Sequence, residues 1–251
     1  MSQVGESFLL SLIAGSATGI GGLIVLQTKN LSKRYIGFSM GFASGIMLTI
    51  SFLNLFAEAL RMLTYLNAVF AFSVGALLMI FLDLALPHME LGRKEKGIVE
   101  SKLFKTGLLV AIGISLHNIP EGLVVSAGYA HLPRLGVLIA IAIFAHNIPE
   151  GIATAVPLLM ARTKGSRIAG LTFLSGLAET LGALIGSSMI SFLGATDQVV
   201  GDGLAFAAGV MTYITVDELI PIAHEHGHKH AVSVGLLLGV IFPLFLLTIL
   251  Q

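Results

Sequence analysis

Long apolar stretches alternate with short polar ones along almost the whole chain. The apolar runs lie roughly at residues 7–27, 36–60, 66–87, 104–128, 133–160, 167–193, 201–223 and 231–250. Each run can cross a hydrocarbon core of about 30 Å as a helix that rises about 1.5 Å per residue. The pattern predicts an all-α polytopic membrane protein with eight transmembrane helices, numbered spans 1 to 8, that form a single domain over residues 1–251.

The composition agrees with this fold class. Hydrophobic residues make up 55% of the chain and charged residues only 11%, whereas soluble domains carry about 25% charged residues. The absence of cysteine excludes disulfides and thiolate metal ligands. Basic and acidic residues balance at 14 each, so the charge gives no indication of a nucleic-acid partner.

The basic residues concentrate on one side of the predicted membrane. Only Arg61 and Arg134 lie in the connections that follow even-numbered spans, and all other Lys and Arg residues lie in or beside the remaining connections. Because cytoplasmic loops are enriched in Lys and Arg, both termini are predicted to lie outside a cytoplasmic (inner) cell membrane.

One hexapeptide, His-Asn-Ile-Pro-Glu-Gly, occurs twice, at residues 117–122 in span 4 and 146–151 in span 5. Its His, Asn and Glu share one side of a helix. Its proline has no N–H, so a backbone carbonyl one turn earlier loses its helical partner, which a membrane protein tolerates where the backbone lines a cavity. A carboxylate at the bilayer centre costs roughly 2.5–3.5 kcal/mol. These features predict an intramembrane site for a divalent cation whose ligands include His117, Glu121, His146 and Glu150.

Two other interpretations of the hexapeptides remain open. Each His and Glu can form a structural hydrogen bond between helices, or the four residues can relay protons without a metal. A third deep carboxylate, Glu179, lies in span 6. Polar residues nearer the membrane surfaces are candidates for a pathway or gate, or are partly hydrated interfacial groups: Asn54, Glu58, Asp217 and Glu218.

A weaker similarity relates the two ends of the chain. Residues 42–47 in span 2 resemble residues 206–211 in span 7, and the same register aligns Asn54 with Glu218. Spans 1 and 6 share a similar pattern of small residues and run in opposite directions. This predicts an inverted repeat of spans 1–3 and 6–8 around spans 4 and 5, as in many secondary transporters, with chance similarity between glycine-rich helices as the alternative.

Histidine alternates with other residues over positions 224–230, on the predicted cytoplasmic side. His-rich tracts are typical of metal binding, and alternation suits a flexible loop. The tract is interpreted as an auxiliary metal-binding segment, or else as a solvated end, with the candidate ligands His224, His226, His228 and His230.

The paired hexapeptides, Glu179 in its Ser-Gly-x-x-Glu context and the Glu-Leu-Ile-Pro sequence at 218–221 resemble the ZIP family of divalent metal transporters, near its bacterial zinc-uptake branch. The resemblance covers essentially the whole chain. It implies a pathway between spans 2, 4, 5, 6 and 7, a homodimer, and a role for the hexapeptide His and Glu residues as central ligands. It adds further metal ligands: Asn118, Asn147, Glu179 and Met47.

The sequence as a whole predicts uptake of zinc, and of iron, manganese, cobalt or cadmium as further substrates, across the lipid bilayer into the cytoplasm. No enzyme activity and no cofactor are expected. An intramembrane metalloenzyme is the first rival, but the chain has no His-Glu-x-x-His pair. The second rival is a proton-coupled solute carrier that uses His and Glu as a relay.

Overall fold

The structure is a computed structural model that describes residues 3–28, 31–85, 99–226 and 228–250. Every regular element in these ranges is helical. Span 1 is the helix Gln3–Thr28, and span 2 consists of the helix Lys33–Thr49, a π-helical segment Ile50–Phe56 and the short helix Ala57–Met62. The remaining helices are Tyr65–Ala85 (span 3), Val99–His131 (span 4), Pro133–Met160 (span 5) and Gly165–Leu193 (span 6).

Span 7 repeats the composite form of span 2. It consists of the helix Asp197–Ile214, a π-helical segment Thr215–Leu219 and the helix Ile220–His226. Span 8 is the helix Lys229–Leu250. The predicted all-α polytopic membrane fold is therefore confirmed.

Seven of the described helical runs are long and apolar enough to cross a membrane, and the 33-residue span 4 is the eighth long helix. Most helix ends differ from the predicted ends by a few residues. The largest difference is at the start of span 4, which was predicted at residue 104 and begins at Val99. The helix extends beyond the apolar run there because the charged residues before it still support helical geometry.

The way the spans pack agrees with the predicted repeat. Span 2 packs mainly on span 8, and span 7 packs mainly on span 3. Span 1 packs on span 5, and span 6 packs on span 4. Exchanging spans 1–3 with 6–8 and span 4 with span 5 leaves this set of neighbours unchanged, as a two-fold repeat requires.

Close backbone approaches follow the same exchange. Gly21 of span 1 lies against the Ile148 carbonyl, while its counterpart Gly182 of span 6 lies against the Ile119 carbonyl. Neither glycine leaves room for a Cβ atom. Small residues thus bring the two hexapeptides equally close to the two repeats, which is how membrane helices gain packing contacts.

The two π-helical segments were not predicted. They occupy corresponding positions of the repeat, and each contains one of the aligned polar residues, Asn54 or Glu218. Hydrophobic periodicity does not distinguish a π turn from an α turn over so short a segment.

Candidate metal centre

Both hexapeptides lie inside continuous helices near the middle of spans 4 and 5. The chain traverses both prolines without leaving the helix, which keeps each His one turn from its Glu. The polar side chains of the two copies are all buried, with exposed fractions of 0–4%. They are His117, Asn118, Glu121, His146, Asn147 and Glu150.

Three of these side chains converge across the interface between spans 4 and 5. Glu121, His146 and Glu150 each offer a ligand atom, and these atoms all lie within 4.8 Å of one another. The Nε2 atom of His146 is 3.0 Å from Oε1 of Glu121 and 4.0 Å from Oε1 of Glu150. The cluster therefore draws on both copies of the hexapeptide.

The two asparagines attach the hexapeptides to the neighbouring helices. Asn118 donates a hydrogen bond from Nδ2 to the carbonyl oxygen of Ser175, at 2.9 Å. Asn147 donates from Nδ2 to Oε2 of Glu179 at 2.9 Å and to the carbonyl oxygen of Ala14 at 3.1 Å. Each amide nitrogen thus has an acceptor on a neighbouring helix, whereas neither amide oxygen has a hydrogen-bond donor among the described residues.

Several buried acceptor atoms around this cluster have no hydrogen-bond donor among the residues that the structure describes. Among the described side chains they include one oxygen each of Glu121, Glu150, Glu179, Asn118 and Asn147. An unsatisfied buried acceptor costs about 1–3 kcal/mol. A divalent cation can satisfy several oxygen lone pairs at once, so the donor set fits a cation.

The charge balance gives the same result. Glu121, Glu150 and Glu179 are buried carboxylates, and the sequence places every Lys and Arg near a helix end or in a connection. Buried carboxylates at this depth need a positive partner. Imidazole nitrogen together with carboxylate oxygen is a ligand set that suits Zn²⁺ and similar transition metals.

His117, the counterpart of His146, lies beside Glu218 of span 7. Its Nε2 atom is 3.4 Å from Oε1 of Glu218, whose side chain is 34% exposed. Glu218 therefore connects the buried hexapeptide of span 4 with the protein surface. Its neighbour Asp217 is exposed.

Asn54 and Glu58 line a cavity at the end of the bundle that carries Arg61 and Arg134. That end is the predicted outer end. The cavity has a volume of about 480 Å³. Asn54 is buried there, and its Oδ1 atom has no donor among the described residues.

Glu58 is engaged by two partners at the rim of this cavity. Its carboxylate accepts from Arg61 at 3.1 Å and lies 2.7 Å from Nε2 of His131. His131 was not identified from the sequence because it is isolated there. The contact joins the end of span 2 to the end of span 4, a pairing that only the three-dimensional structure can reveal.

Met47 is fully buried in the core, and its role as a metal ligand stays a prediction. Ser175 and Ala14, which hold the two asparagines, were not predicted as site residues. They act through backbone carbonyls, which carry no sequence signature. Ser175 was noted only through the family resemblance.

The prediction of a flexible loop over residues 224–230 is wrong in part. His224 lies on the helix Ile220–His226 and His230 on the helix Lys229–Leu250, and His228 lies between them. His224, His228 and His230 are exposed. His226 lies on the first helix, but its side chain is outside what the structure describes.

Comparison with known proteins identifies the family of the chain. A sequence model of the family described as ZIP zinc transporter matches residues 87–247 of this chain. The chain belongs to the ZIP zinc transporter family. It is 40% identical to a protein named zinc transporter ZupT from Chlorobium luteolum, with 95% of this chain and 96% of the relative covered. Proteins of the same name from Streptococcus mutans and Chlorobaculum parvum are 37% and 38% identical, each with 94% of both chains covered.

Membership of the ZIP family decides between the classes of function left open by the sequence. The chain is a multi-pass membrane protein of a transporter family and not an enzyme. The interpretation as an intramembrane metalloenzyme is therefore excluded. Both hexapeptides lie within the region that the family model matches.

Proposed function

We propose that the protein carries Zn²⁺ across the cytoplasmic membrane into the cytoplasm. The ion passes through a midplane site built from His117, Glu121, His146 and Glu150. Glu179 and the oxygens of Asn118 and Asn147 form an adjoining position, and the Met47 thioether adds a soft ligand on the span 2 side. The metal is the transported substrate, and the protein needs no cofactor.

The observation that carries this proposal is the cluster of Glu121, His146 and Glu150. Its ligand atoms lie within 4.8 Å of one another, and both carboxylates have an oxygen without a donor. A structural hydrogen bond between helices would use one His and one Glu. It would not require a second carboxylate on the same imidazole.

The direction of transport follows from the charge pattern. The end rich in Lys and Arg is cytoplasmic by the positive-inside rule, so both termini are external. An ion then enters past Asn54 and the cavity with Glu58 and leaves past Glu218, with Asp217 at the exposed inner end. In this order Glu218, whose partly exposed carboxylate lies beside His117, is the last polar side chain before the inner end.

The same ligands accommodate other ions of similar chemistry. Fe²⁺, Mn²⁺, Co²⁺ and Cd²⁺ accept mixed nitrogen and oxygen ligands, so we include them as substrates of the same pathway. Mg²⁺ and Ca²⁺ prefer shells made of oxygen alone and are expected to compete poorly.

Transport of the purified protein in sealed proteoliposomes tests the proposal. A fluorescent zinc indicator inside the vesicles should report zinc entry that competing Cd²⁺ or Co²⁺ slows and Mg²⁺ does not. Vesicles that carry the double variant Glu121→Gln/Glu150→Gln provide the matched control. Equal zinc entry with the wild-type and the double variant would contradict the proposed site, whereas uptake of an organic solute with protons would favour the proton-coupled carrier.

Two further parts of the proposal concern assembly and regulation. Spans 3 and 8 leave most of their side chains exposed toward lipid or a second copy. We propose a homodimer, whose mass in detergent can be measured by light scattering.

His224, His226, His228 and His230 are proposed to bind metal weakly at the cytoplasmic end.

A further inference from the structure

Two buried hydroxyls occupy the same position in the two halves of the repeat. Ser51 of span 2 donates a hydrogen bond from Oγ to the carbonyl oxygen of Met47, at 2.7 Å. Thr215 of span 7 donates from Oγ1 to the carbonyl oxygen of Met211, also at 2.7 Å. The alignment that pairs Asn54 with Glu218 pairs these hydroxyls and these carbonyls as well.

Each of these carbonyls accepts a second hydrogen bond from the backbone. The Met47 carbonyl also accepts from the N–H of Ile50, three residues later, and the Met211 carbonyl also accepts from the N–H of Thr215, four residues later. A side chain that bonds to the carbonyl one turn earlier competes with the helical hydrogen bond and often bends the helix. The π-helical segment of span 2 begins at Ile50, three residues after Met47. The segment of span 7 begins at Thr215, four residues after Met211.

Asn54 and Glu218 each lie within one of the π-helical segments. Bonds five residues apart mark both segments, from Ala57 N–H to the Phe52 carbonyl and from Ile220 N–H to the Thr215 carbonyl. A π turn holds one more residue than an α turn, and one α-helical residue corresponds to about 100° of rotation. Return to α geometry would therefore redirect the side chains that follow, including the Glu218 carboxylate beside His117.

We propose that Ser51 and Thr215 are positioning residues of the transport pathway. Their hydroxyls stabilise the two π-helical segments and so hold Asn54 at the outer side and Glu218 at the inner side of the metal site. This inference rests on the proposed function, because it assigns to the hydroxyls the task of orienting two residues of the proposed pathway.

The hydroxyls can be removed without leaving an unsatisfied carbonyl, since each carbonyl keeps its backbone donor. The test variants are Ser51→Ala and Thr215→Val, and Ser51→Thr and Thr215→Ser restore the hydroxyls. Matched controls come from the same two spans. Ser44 bonds to the Met40 carbonyl and Thr212 to the Ala208 carbonyl, but both lie in α-helical turns, so Ser44→Ala and Thr212→Val should keep wild-type kinetics.

Zinc uptake into proteoliposomes at matched protein content gives the readout. Thr215→Val should lower the maximal rate by about fivefold, the effect of one hydrogen bond, with little change in the half-saturating zinc concentration. Ser51→Ala should instead change that concentration or the preference for Cd²⁺ over Zn²⁺. The variants that restore the hydroxyls should return each parameter toward the wild-type value.

A double-variant cycle separates orientation of Glu218 from a general effect on stability. If Thr215 acts through Glu218, Thr215→Val should have little further effect in a Glu218→Gln background. Independent, multiplicative losses, or wild-type kinetics of both hydroxyl variants, would overturn the inference. If Glu218→Gln alone leaves the kinetics unchanged, the proposed pathway itself fails.

Discussion

The Oε1 atom of Glu121 and the Nε2 atom of His146 lie 3.0 Å apart, although the two residues belong to different copies of the hexapeptide. Glu150 approaches the same nitrogen from the second copy. One imidazole thus lies between two buried carboxylates. The cluster therefore combines the Glu of the first copy with the His and Glu of the second.

Replacement of either carboxylate should nearly abolish transport. We expect Glu121→Ala or Glu150→Ala to reduce zinc uptake by about 100-fold or more, because loss of a charged buried ligand costs roughly 3 kcal/mol. Uptake of radioactive zinc by cells with equal amounts of the protein in the membrane is the measurement. Glu225→Gln, an exposed carboxylate at the inner end, is the control, and wild-type uptake by both alanine variants would exclude the metal site.

Replacement of the central imidazole should have a different effect. His146→Gln keeps a polar side chain but removes the imidazole nitrogen that lies between the carboxylates of Glu121 and Glu150. We expect apparent zinc affinity to fall by about tenfold, or ~1.4 kcal/mol, and selectivity to shift toward Mn²⁺, which prefers oxygen ligands. Competition between Zn²⁺ and Mn²⁺ measures the shift, and an unchanged ratio of the two half-saturating concentrations would count against His146 as a ligand.

The sequence predicts the helical fold well and selects candidate central residues for a physical reason. A membrane span must satisfy its backbone internally and present an apolar surface, so length and hydropathy identify it. Charged groups at the bilayer centre are so costly that Glu121 and Glu150 stand out without any structural knowledge.

Contacts made by common groups are not visible in the same way. The carbonyl oxygens of Ala14 and Ser175 hold the asparagines, and any residue type supplies a carbonyl. His131 bonds to Glu58 across two spans that are distant in sequence. These relationships depend on how the helices pack, which periodicity along one helix does not determine.

The orientation of the protein in the membrane can be measured directly. The wild-type chain has no cysteine, so a single introduced cysteine is the only labelling site for a membrane-impermeant maleimide. Positions predicted to react from outside are 1, 61, 134 and 251, and those predicted to react only after permeabilisation are 94, 164 and 228. Labelling of Lys164→Cys in intact cells would reverse the assigned direction of transport.

The histidines at the inner end should affect regulation and not the pathway itself. Replacement of His226, His228 and His230 by Asn should leave uptake at low zinc concentration unchanged and alter only the response to high zinc. The physical reason is that the described histidines of this tract are exposed, whereas the side chains of the cluster are buried. Loss of uptake by a correctly inserted variant would instead make these residues obligatory ligands.

The repeat places chemically different residues at corresponding positions. Asn54 and Glu218 lie in matching π-helical segments, but Asn54 is 5% exposed and neutral, whereas the Glu218 side chain is 34% exposed and acidic. A neutral amide holds a divalent cation more weakly than a carboxylate does. The structural symmetry is therefore combined with a chemical asymmetry along the proposed direction of transport.

This asymmetry predicts opposite kinetic effects for two substitutions. Asn54→Glu adds a carboxylate at the outer cavity and should lower the half-saturating zinc concentration or change metal preference. Glu218→Gln removes the carboxylate beside His117 and should lower the maximal rate more than it raises the half-saturating concentration, because release toward the cytoplasm becomes slow. Initial rates over a range of zinc concentrations, at matched protein content, distinguish the two effects. If Asn54→Glu leaves affinity and selectivity unchanged and Glu218→Gln leaves the rate unchanged, the corresponding positions serve packing alone and neither residue gates the pathway.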